Sequence, residues 1–133
     1  MRTGQEKVSR RPGGRFRPNP PPATGTASRV LLRFRLFARE IVVRQTVIDP
    51  GGGSGWHYHD GTLFVLVTRG TLDHPYADRG PVVYRRGRVF REPSGPHHAH
   101  EARNRGGTPV AITVLYVNPA GAPLSRAVDP PDA

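Results

Sequence analysis

The stretch Gly51–Gly70, GGGSGWHYHDGTLFVLVTRG, decides how this chain is read. Its three opening glycines mark a turn. His57 and His59 follow, two residues apart, and then TLFVLVT (Thr62–Thr68), a continuous apolar run of strand length. In an extended chain residues i and i+2 share a face, so the two imidazoles can stand side by side. Neutral imidazole is the commonest protein ligand for transition metals. A histidine pair directly after this turn, with a second histidine cluster (HHAH, His97–His100) after the Pro93–Pro96 turn, predicts a metal site.

Outward from this stretch the same grammar repeats. Val30–Phe37 (VLLRFRLF), Ile41–Ile48 (IVVRQTVI), Val82–Tyr84, Val89–Phe90 and Val110–Val117 (VAITVLYV) are apolar or β-branched pieces. Between them lie Asp49-Pro50-Gly51, Asp60-Gly61, Arg69-Gly70, Arg79-Gly80-Pro81, Pro93-Ser94-Gly95-Pro96 and Gly106-Gly107. Many short strands parted by Gly/Pro turns predict an all-β sandwich or barrel. Only VLLRFRLFARE could begin as a helix.

Composition bounds the rest. The chain has 133 residues, enough for one domain. It lacks cysteine, which excludes disulfides, thiolate zinc sites, iron–sulfur clusters and a cysteine nucleophile. No apolar run approaches the roughly 18–20 residues of a membrane span, so a soluble, cytoplasmic protein is expected. Sixteen glycines and fifteen prolines are many for a packed domain, so part of the chain should be tail. Met1–Arg29 carries seven Lys/Arg and one acid, more than half of the net charge of +10. Residues 1–28 are therefore expected to be a disordered basic tail, 29–119 the barrel domain and 120–133 a flexible C-terminal tail. The basic tail could touch nucleic acid, but the lack of a recognition-helix pattern and of a dense basic run argues against nucleic acid as a partner.

All six histidines fall between residues 57 and 100, five of them in WHYH and HHAH. With these spacings the chain resembles the cupins, small double-stranded β-helix (jelly-roll) barrels. Their first motif is G-x5-H-x-H-x3/4-E-x6-G; Gly51, His57, His59 and Gly70 match it. Their second is G-x5-P-x-G-x2-H-x3-N; Gly87, Pro93, Gly95 and Asn104 match it. Two departures stand out. Leu63 occupies the place of the motif glutamate. The second motif holds two extra residues, so counting from Gly95 selects His98 and counting back from Asn104 selects His100. His100 is preferred, because His98 follows so closely on the Pro96 turn.

The expected metal ligands are thus His57, His59 and His100, with His98 as the alternative. His74 reads as a loop residue. Trp56 and Tyr58 alternate with the histidine pair and should face away. Glu92, just before the Pro93 turn, or Glu101, beside His100, could replace the missing carboxylate only if the backbone departs from simple alternation. Arg103 and Arg105 are weaker candidates for clamping an acidic substrate.

The resemblance implies a cavity inside the barrel that holds a divalent ion, with iron, manganese, nickel and zinc as candidates, and a small-molecule ligand or substrate. The implied function is to bind or act on that molecule, with metal-dependent dioxygenase and isomerase chemistry as the enzymatic candidates. The alternative is a metal-free small-molecule sensor, suggested by Leu63. A homodimer is a candidate assembly, because a small barrel leaves edge strands to cover.

Overall fold

A computed structural model describes residues 23–131. Nine strands carry the fold: β1 (Thr24–Leu36), β2 (Arg39–Gly53), β3 (His57–Tyr58), β4 (Thr62–Arg69), β5 (Thr71–His74), β6 (Val82–Arg85), β7 (Val89–Glu92), β8 (Val110–Pro119) and β9 (Arg126–Ala127). The one helical piece among the described residues is a single 3-10 turn, Pro96–His98. Among the described residues no helix is long and apolar enough to cross a membrane.

The strands form a jelly roll of two layers. One is a five-stranded antiparallel sheet in the order β1-β2-β8-β4-β7. The other is built from the pairs β5-β6 and β3-β9, with the irregular segment Ala99–Asn104 threaded between them. That segment exchanges backbone hydrogen bonds with His57 on one side and with Asp73 on the other. The hydrophobic runs fold as strands because each buries alternate residues. Strand β4 turns Leu63, Val65 and Val67 inward and leaves Phe64, Leu66 and Thr68 outside. Strand β8 does the same with Val110, Ile112, Val114 and Tyr116. Each of these aliphatic side chains contributes on the order of 1.5–3 kcal/mol when taken out of water.

Glycines set the corners. Gly70 joins β4 to β5 at φ +72°, and a Cβ there would lie 2.7 Å from the Pro109 carbonyl oxygen. The glycine run of the opening motif, read from sequence as a turn, belongs to β2, which bends there and pairs Gly53 with Thr24 across an irregularity in register. A Cβ on Gly52 would meet the Gly25 carbonyl oxygen at 2.8 Å, so the two backbones touch where β1 begins.

The ladder overruns both expected domain boundaries. Strand β1 starts at Thr24, inside the segment read as tail, because its backbone pairs with β2 from Thr24 onward. The tail expected over residues 1–22 lies outside the described residues. At the other end, β9 falls within the segment 120–133 that was expected to be flexible. His57 pairs with Ala127 and Tyr58 with Arg126. The Arg126 guanidinium also reaches both carboxylate oxygens of Asp60, at 3.0 and 2.8 Å.

Candidate metal centre

Backbone pairing brings the histidines together. His57 on β3 and His100 on the threaded segment stand directly opposite each other and exchange both main-chain bonds, at 3.0 and 2.9 Å. Opposed residues of an antiparallel pair point to the same side. His59 lies two residues beyond His57 and joins them. The ring centroids of the three are 4.6–5.0 Å apart, and their ligand nitrogens all lie within 4.8 Å of one another.

Each ring is held by its far nitrogen. His57 Nδ1 bonds the Gly55 carbonyl at 2.8 Å, His59 Nδ1 that of Leu124 at 2.7 Å, and His100 Nδ1 that of His98 at 2.8 Å. A carbonyl oxygen only accepts, so each Nδ1 carries the hydrogen. In a neutral ring Nε2 then keeps its lone pair, and it faces the centre. Burial, with His100 and His59 alongside, pushes His57 down to about 3, so its ring is neutral at neutral pH.

The carboxylate missing from β4 is supplied by the neighbouring strand. Leu63 is the direct register partner of Glu92 on β7. The two share the inner face, and Glu92 is 5% exposed. Its Oε2 lies 3.0 Å from Nε2 of both His59 and His100. Burial alone would raise the Glu92 carboxyl, and the His74 Nε2–H that donates to it favours its charged form. Glu92 thus enters the site with strand alternation intact, contrary to the expectation that it could do so only through a backbone departure. Glu101 was expected to point outward but is buried; it stays out of the cluster, and its carboxylate faces Arg103 at 3.6 Å.

His74 is not a loop residue. Strand β5 buries Leu72 and His74 and turns Thr71 and Asp73 away, so a four-residue alternation sets it inside. Burial pushes His74 down despite the adjacent carboxylate, so its ring is neutral. Its Nε2–H donates to Glu92 Oε1 at 2.8 Å, and its buried Nδ1 has no partner among the described residues. His74 therefore fixes one oxygen of Glu92 and leaves the other toward the three histidines.

His98 stands apart from this cluster. Its ring is partly exposed and meets Asp78 at 2.8 Å, while its carbonyl orients His100. His97 is exposed. Asn104 is buried and structural: its amide donates to the carbonyls of Ile48 and Thr108, and its own oxygen accepts from Gly106 N–H.

The residues fit a divalent cation. Nε2 of His59 and Nε2 of His100 are 3.1 Å apart, and both are 3.0 Å from a carboxylate oxygen. Lone pairs at these distances repel unless a positive charge sits among them. Ligands held ~2.0–2.2 Å from one ion stand ~3 Å from each other. Imidazole and carboxylate together suit zinc, iron, nickel and manganese alike.

The cluster forms one wall of a cavity of about 410 Å³ between the layers. Apolar side chains, among them Ile48, Leu63, Val65, Ile112 and Val114, line much of the rest. Arg44 and Tyr116 also line it, as do hydroxyl residues such as Ser28, Thr46 and Ser54.

Comparison with known proteins agrees with this architecture. A cupin-domain profile matches residues 44–116, more than half of the chain. No curated protein matches. Among solved structures, the polyketide cyclase RemF from Streptomyces resistomycificus superposes with a TM-score of 0.66 at 22% identity, over 82% of this chain and 75% of its own. A cupin domain from Bordetella pertussis gives 0.58 at 24% identity, over 71% and 94%. The DMSP lyase DddQ from Ruegeria pomeroyi gives 0.65 at 16% identity, over 77% of this chain and 51% of its own. At such identities the likeness is one of fold, and with the profile match spanning both histidine motifs, the chain belongs to the cupin family.

Proposed function

We propose that this cupin binds a divalent metal ion through His57, His59, His100 and Glu92, and that it acts on a small molecule held in the adjoining cavity by chemistry of the dioxygenase or isomerase type. One observation carries the reading: three imidazoles locked by carbonyls on Nδ1 turn their Nε2 atoms on a buried carboxylate. A bound ion would supply Lewis-acid polarisation or, with iron, a site for dioxygen chemistry.

The chain's own groups set the surroundings. His74 holds Glu92 in place through Oε1. The apolar walls keep the cavity's dielectric low, which strengthens every charge interaction within it. Burial pushes the Tyr116 phenol up to about 12, so at neutral pH it serves as a hydrogen-bond donor and not as a base. A polyketide cyclase and a DMSP lyase among the structural neighbours support a small-molecule role for such a cavity. The metal-free alternative drew its support from Leu63, and Glu92 in register with it weakens that support.

Elemental mass spectrometry of the untagged protein tests the reading. About one equivalent of metal is expected in the parent and none in the His57→Ala/His59→Ala variant. A parent that stays empty after incubation with Fe(II), Mn(II), Ni(II) and Zn(II) would leave the metal-free binding barrel as the better account.

We further propose that two copies pair through the outer face of the five-stranded sheet. Leu32, Val43, Leu115 and Phe64 form one row across β1, β2, β8 and β4. Leu32 is 51% and Phe64 41% exposed. A sheet apolar on both faces is the pattern of one covered on both.

A further inference from the structure

Strand β2 turns Val42, Arg44, Thr46 and Ile48 to the inner side. Three of these are ordinary interior residues and one is an arginine. Arg44 lines the cavity; its register partner on β8 is Val114, and its side chain reaches Tyr116 two residues along. The guanidinium donates through one Nη to the Tyr116 hydroxyl oxygen. Its Nε is buried and has no partner, and among the described residues no carboxylate pairs with it. The single acid lining the cavity is Glu92, which is enclosed by histidines.

Tyr116 extends this deficit of acceptors. Its oxygen accepts from Arg44, and its own hydrogen has no acceptor among the described residues. One wall of the cavity thus presents a cation and unused donors, and apart from Glu92 the other polar groups of the lining, such as the mutually bonded hydroxyls of Ser28 and Thr46, carry no charge. A half-buried cation without a counter-charge is disfavoured, and that penalty is relieved when an anion enters. A guanidinium offers a planar fork of N–H donors that matches a carboxylate. The Arg44 Cζ lies 5.1 Å from the Tyr116 ring centre, which is 6.0 Å from that of His59. The guanidinium and the histidine cluster are therefore about 11 Å apart at most, within the span of one small molecule.

We propose that the cavity selects a small apolar carboxylate, with Arg44 and Tyr116 receiving its charged end and Ile48, Leu63, Val65, Ile112 and Val114 packing the remainder. The inference rests on reading the cavity as a small-molecule site. It names the charge of the ligand and does not depend on which metal is bound.

Isothermal titration of the full chain, as purified, with benzoate and with benzamide tests this. The two probes share a shape and differ in charge. Benzoate is expected to bind about tenfold tighter or more, the size of one charge-assisted hydrogen bond. In Arg44→Gln the preference should vanish, and in Tyr116→Phe it should fall by a smaller factor. Equal affinity of the parent for both probes overturns the inference alone, and this arm needs no variant to fold. So does unchanged benzoate affinity in Arg44→Gln, because the carboxylate would then be held elsewhere. Failure of both probes to bind overturns the small-molecule reading of the cavity together with the inference.

Discussion

Glu92 and Leu63 show how one carboxylate can move without the site moving. Because they are register partners on one face, a glutamate on either strand points toward the same interior. Sequence shows strand pattern but not register, which is why Leu63 reads as a loss and Glu92 as a turn residue. Glu92→Leu should abolish metal retention, and adding Leu63→Glu should recover much of it; metal content of the two proteins checks this. His74 escaped notice for a related reason: an alternation only four residues long is hard to tell from loop. His74→Ala should leave the ion bound about 10–100-fold more weakly in competition titrations with a chelator, the usual effect of losing a group that orients a ligand. The pair His98/His100 was legible as a choice, and the H-x3-N spacing pointed to the ring that faces the cluster. His98→Ala should therefore leave metal content unchanged. It should instead let the Asp78 carboxyl, held below 3.8 chiefly by its hydrogen bond from His98, rise back toward that value in an NMR titration. The stability linked to Asp78 is present above its ordinary value and fades as pH falls, so loss of His98 should matter above pH ~4 and not in more acidic solution, and little for so exposed a pair.

At the scale of elements, β2, β4 and β8 were plain in the sequence because each carries a long apolar or β-branched run with a buried face. Strands β3, β5 and β9 were not, because two to four residues carry no measurable period. Their partners decide them: β9 exists as a strand because β3 offers it an edge. Gly70, unlike the glycine run of β2, was legible as a turn, and it shows the physical reason. Gly70→Ala combines a left-handed backbone with a Cβ 2.7 Å from the Pro109 oxygen. It should cost about 1–3 kcal/mol. Each kcal/mol lost should lower Tm by roughly 4–8 °C in a domain of this size, readable by calorimetry.

At the scale of the whole molecule, metal and fold should be linked. An ion that binds only the folded chain stabilises it by about 2.7 kcal/mol at one hundred times its Kd, so chelation should lower Tm by about 10 °C or more. The sheet face leads to a separate expectation. Sedimentation should find the parent as a dimer, and Leu32→Lys/Phe64→Lys as a monomer with metal content unchanged. A monomeric parent at micromolar concentration would remove the proposed pairing. A last consequence follows from the carbonyl that holds the His59 ring. It belongs to Leu124, 65 residues further along the chain. At ~5–20 residues per second, synthesis reaches it several seconds after His59. During that interval the imidazole has no fixed tautomer. Any ion captured on the ribosome would meet loose donors of low selectivity, so the choice of metal falls to the finished protein and to whichever ion its compartment supplies.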